Sequence, residues 1–116
     1  MAKKVSNAKR LKRELARLNG LCHERSLHQA LSKLNGHFNK WKRQEIDSFE
    51  LSDAIHQYHK NDAREVWLQY VNNKFYDLNV SYGLIRGLIQ RTEISDELFE
   101  FLEPKIERYR KWEEEE

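Results

Sequence analysis

Glu50, Asp53, His56 and His59 follow one another at three-residue steps. Two carboxylates and two imidazoles are the donors of a metal centre or a proton-transfer site. On a helix each neighbouring pair lies on adjacent turns, so Asp53 and His56, or His56 and His59, could share an ion. A carboxylate-histidine centre in a helical bundle needs more than this: a second acid-x-x-His pair and two further carboxylates from other helices. No histidine follows His59. With half the ligand set missing, no metal and no cofactor are assigned. The four residues are expected to form a polar, pH-sensitive surface cluster, because imidazoles titrate near neutral pH.

Cys22 is the single cysteine, with His23 beside it. Sequence neighbours on a helix do not face each other, so the two make a poor nucleophile and base, and a structural thiol is expected. One cysteine forms no internal disulfide, which fits a reducing, cytoplasmic setting. No nucleophile elbow, phosphate-binding glycine loop, HExxH or GxGxxG is present. The chain is therefore read as a non-enzyme.

Charge carries the strongest signal. Residues 1–43 hold twelve Lys or Arg against Glu14 and Glu24, a net +10, whereas residues 44–116 hold nine against seventeen acids, a net −8. Such asymmetry predicts an acidic partner for the first half, or pairing of the two halves within or between chains. Lys9, Arg10, Lys12, Arg13 and Arg17 are the expected contacts. Lys9, Arg10, Arg13 and Arg17 project opposite Leu11, Leu15 and Leu18 on a helix. The same face would suit a nucleic-acid backbone, with salt-dependent affinity, although no recognition-helix, zinc-finger or RNP-like pattern accompanies it.

Helices must position these groups. Four Gly and one Pro are too few turn-formers for many short strands, and thirteen aromatics exclude general disorder. Leu11, Leu15 and Leu18 predict a first helix over about 7–19, stopped by Gly20. Leu27, Leu31, Leu34, Phe38 and Trp41 predict a second over about 24–45, in which Gly36 only weakens the helix. Ser52 is expected to cap a short helix to His59 with Ile55 and Tyr58 inward. Asp62 is expected to cap a central helix to about Leu78 that buries Val66, Trp67, Tyr70, Val71, Phe75 and Leu78. A short amphipathic piece through Ile89 follows. Ser95 then caps a last helix lined by Leu98, Phe101, Leu102, Ile106, Tyr109 and Trp112, with a kink or break at Pro104.

The expected fold is thus an all-α bundle of five or six helices, one domain over 1–112, with a flexible basic stretch at 1–6 and a disordered acidic tail at 113–116. The most apolar stretch, Tyr82 to Ile89, is interrupted by Arg86 and far below the ~20 residues that cross a bilayer, so no membrane association is expected. Aromatics in excess of what a small core can hide supply anchors for a partner or a second copy. The functional expectation is a small cytoplasmic interaction module or homodimer, with nucleic-acid binding as the alternative.

Overall fold

The leucines of the first forty positions fall on one uninterrupted helix, α1 (Ala2–Lys42). The computed structural model describes residues 2–72 and 74–115, with side chains from residue 7 onward. Gly20 does not stop α1, and the two helices expected on either side of it are one. A Cβ at Gly20 would meet nothing within 4 Å, and Gly87 is the glycine with positive φ. The cost of Gly20 is then chain entropy, about 1 kcal/mol, which burial of Leu18 and Cys22 on either side outweighs. Residues 2–6, expected as a flexible arm, continue the same helix.

The second helical run covers 48–72 without a break. It consists of α2 (Ser48–Gln57), a π turn (Tyr58–Asp62), α3 (Ala63–Trp67) and a second π turn (Leu68–Asn72). Asp47, not Ser52, is its cap: the Glu50 amide donates to Asp47 Oδ1 at 2.8 Å and the Glu50 carboxylate accepts from the Asp47 amide. Asp62 caps nothing. Its backbone is right-handed helical, so the expected boundary there is absent. Two further runs, α4 (Tyr76–Arg86) and α5 (Asp96–Glu115), bring the total to four among the described residues, with a 3-10 turn at Arg91–Glu93 between them. The fold is all-α, with four helices in place of five or six, because two of the expected boundaries lie inside continuous helix.

Contacts group the chain into two compact units, Met1–Cys22 with Lys74–Glu116, and His23–Asn73, where the sequence reads one domain. The first unit holds most of the buried apolar side chains: Leu18 and Cys22 of α1, Val80 of α4, Ile89 and Ile94 of the connection, and Leu98, Leu102 and Ile106 of α5. Its polar interior is satisfied. Asn79 Nδ2 donates to Asn19 Oδ1 at 2.8 Å, and Ser81 Oγ donates to the Asp77 carbonyl at 2.7 Å. Ser95 caps α5 as expected, accepting from the Leu98 amide, while Glu14 of α1 accepts from both the amide and the hydroxyl of Ser95. Pro104 does not break α5. Pro104 and Glu100, whose carbonyl loses its partner, are both exposed, so water can replace the missing bond. Glu113 to Glu115 are helical, with Glu113 held by Arg86 at 3.1 Å. Glu116 of the expected tail lies outside the described residues.

In the second unit the later half of α1 and the 48–72 run are joined by a tight turn in which Gln44 adopts φ 60. Leu51 and Tyr70 are its buried apolar side chains. Tyr70 stacks on His23 at 5.4 Å between centroids, and its hydroxyl lies 3.0 Å from Ser26 Oγ. The inward stripe of the 48–72 run has a period of four: Ala54, Tyr58, Asp62, Val66 and Tyr70 are half-buried or buried. A plain α-helix would turn such a stripe away by about 160° over that distance. Each π turn absorbs one extra residue and brings it back.

Candidate functional site

The expected cluster of Glu50, Asp53, His56 and His59 is spread around its helix. Three-residue steps rotate each successive side chain by about 60°, so only neighbours remain close. Glu50 and Asp53 line a groove with Lys33, His37 and Lys40 of α1, whereas His56 and His59 line a different groove with Lys60, Arg64 and Trp67. Among the described residues no group of three or more His, Cys, Asp or Glu is placed to hold a metal ion.

The basic residues of α1 are divided as well. Arg10 is taken up by Glu97 at the start of α5, and the hydrogen bond and charge of that carboxylate raise the guanidinium above its ordinary pKa. Lys9, Lys12, Arg13 and Arg17 are exposed and have no ion pair among the described residues. Cys22 is fully buried against Gly83 of α4, as a structural thiol should be. No helix among the described residues is long and apolar enough to cross a membrane.

In the first unit the aromatic residues are only partly covered, with Phe101 59% and Trp112 67% exposed. Tyr82, Tyr109 and Trp112 form a chain of edge contacts at 6.4 and 6.2 Å, with Arg86 over the Tyr82 ring. On the 48–72 run Tyr58, Val66 and Tyr70, expected inward, are half-buried or buried, but other residues expected inward are open. Ile55 is 41% exposed, Trp67 51% and Val71 46%, and Phe75 beyond the run is 61% exposed. The helix with the widest apolar stripe is therefore not central. Ile55, His59, Ala63, Trp67 and Val71 form a second four-residue stripe, one position on from the inward one. Within this stripe Ala63 is only half-buried and His59 is exposed. Sequence reasoning placed Trp67 and Val71 in the core because adjacent stripes merge when read at a 3.6-residue period. The four-residue recurrence was the available signal that they lie on separate faces.

This open face continues into a further stripe of His56, Lys60, Arg64 and Leu68. Trp67 and Ala63 form the floor of a shallow groove of about 560 Å³, and His56, His59, Lys60 and Arg64 are its polar edge. The arrangement can cover an apolar surface and neutralise negative charge beside it. No family model, curated protein or solved structure matches the chain.

Proposed function

We propose that this chain is a small helical interaction module, without catalytic chemistry of its own, that works by presenting the apolar face of its 48–72 helix to another protein. The supporting observation is the exposure of large apolar side chains along one side of that helix: Trp67 at 51% and Val71 at 46%, with Ile55 and Leu68 beside them. Large apolar side chains left open on one side of a folded helix mark interaction sites, and Trp is among the side chains most often found as a binding anchor. A lone cysteine without disulfide chemistry suits a reducing compartment. Photocrosslinking tests the reading. A benzophenone side chain at position 67 should yield discrete protein adducts in nuclease-treated native extract, while the same group at Glu103 on α5 should yield none. Absence of adducts from position 67, or identical adducts from both positions, overturns it.

A second reading, nucleic-acid binding, draws on the exposure of Lys9, Lys12, Arg13 and Arg17 without ion pairs among the described residues. It predicts affinity for generic DNA or RNA at low salt that falls steeply as salt rises. Undetectable binding at low salt removes it.

A further inference from the structure

We infer that the groove along His56, Lys60, Ala63, Arg64 and Trp67 takes an acidic amphipathic helix from a partner protein. The inference rests on the interaction function proposed above and names the partner's chemistry. Three observations lead to it. The first is shape: Ile55, His59, Ala63, Trp67 and Val71 recur every four residues along an uninterrupted helical run, apolar but for His59, with a small residue in the middle where a second helix can approach closely. A partner helix would anchor through its own apolar residues three and four apart, the mode by which amphipathic helices enter hydrophobic grooves.

The second is charge. Every titratable side chain lining this groove is basic, namely His56, His59, Lys60 and Arg64. Neither Lys60 nor Arg64 has an ion pair among the described residues. The groove containing Lys33, His37 and Lys40 differs, because Glu50, Asp53 and Asp62 line it too and supply negative charge from within the chain. The complement of the Trp67 groove must then come from outside. The third observation argues against a second copy as occupant. Packing two such faces about a two-fold axis, antiparallel and centred on Ala63, would set Lys60 and Arg64 against the same cations of the partner, an unfavourable juxtaposition. A helix carrying Glu or Asp beside its apolar anchors meets both requirements, and its carboxylates would pair with Lys60 and Arg64 at the polar rim.

The test uses the full chain and two labelled synthetic peptides followed by fluorescence anisotropy. Both are helical with Leu at every fourth position, one flanked by Glu and its twin by Lys. The Glu peptide should bind and the Lys twin should not, with affinity falling as salt is raised. Trp67→Ala should weaken binding at least about tenfold. Lys60→Glu combined with Arg64→Glu, which changes only exposed side chains, should exchange the preference between peptides. Asp53→Ala in the other groove should leave both results unchanged. Equal affinity for the two peptides, or a preference that survives the double charge reversal, overturns the inference. Sedimentation showing self-association that is lost in Trp67→Ala overturns it in favour of a second copy. If neither peptide binds while position 67 still crosslinks to protein, the acidic helix is wrong and the interaction function stands. If crosslinking fails as well, both fall.

Discussion

A methyl group at position 83 would lie 2.6 Å from Cys22 Sγ, a distance at which one of the two helices must shift. Gly83 is buried in α4, and Cys22 is fully buried in α1, so neither can swing into solvent. Gly83→Ala is expected to destabilise the protein by roughly 1–3 kcal/mol in urea denaturation, as overpacking does. Cys22→Ala in the same chain should recover part of that loss, and a double-mutant cycle measures the coupling. Asp77 makes a second prediction. Burial pushes its carboxyl up, but the hydrogen bond from Lys105, the bond from the Leu78 amide and the charge of Lys105 together hold it below the ordinary carboxylate range. A carboxylate lowered in the folded state contributes stability above its unfolded pKa of about 3.9 and loses it as pH falls through the folded value. Asp77→Asn should therefore lower stability at neutral pH and flatten the acid limb below about pH 4, read from urea midpoints across pH. An unchanged acid limb would show that the Lys105 pair carries no such linkage.

At the scale of elements, the turn after α1 holds Gln44 in the left-handed region, a conformation that costs a non-glycine residue roughly 1–2 kcal/mol. Gln44→Gly should raise stability by roughly 0.5–1 kcal/mol, the strain relieved being partly offset by the greater freedom of glycine in the unfolded chain. A fall in the denaturation midpoint would show that Gln44 makes compensating contacts. Much about the elements was readable from spacing. The Leu98, Leu102 and Ile106 face of α5 and its Ser95 cap were expected and are present, because a cap and a stripe are local features. The boundaries at Gly20 and Asp62 were misread for one physical reason. A helix-weakening residue ends a helix only when tertiary burial on its two sides does not outweigh its local cost. The positions of the π turns were not legible, since nothing in Tyr58–Asp62 or Leu68–Asn72 distinguishes a wide turn by composition and the four-residue recurrence does not locate them.

For the whole molecule, burial is unevenly divided. The unit containing α4 and α5 has Leu18, Val80, Ile89, Leu98, Leu102 and Ile106 nearly or fully inaccessible, whereas the unit His23–Asn73 buries Leu51 and Tyr70. Hydrogen exchange should follow this division, with α1 amides before Cys22 and those of α5 protected longest, and those of residues 24–42 and 48–72 exchanging earlier. Uniform protection along α1 would contradict it. The all-α class was evident from the shortage of Gly and Pro. The candidate surface was not, because hydropathy shows which residues share a face but not whether anything covers it. Ile55 and Trp67 read like core positions for that reason. The wide turns at Tyr58–Asp62 and Leu68–Asn72 also make the chain unequally tolerant of shortening. Removing one amino acid from within such a turn lets the backbone close into ordinary helix while later side chains keep their directions. The same loss from the middle of α1 would swing everything beyond it by about 100°.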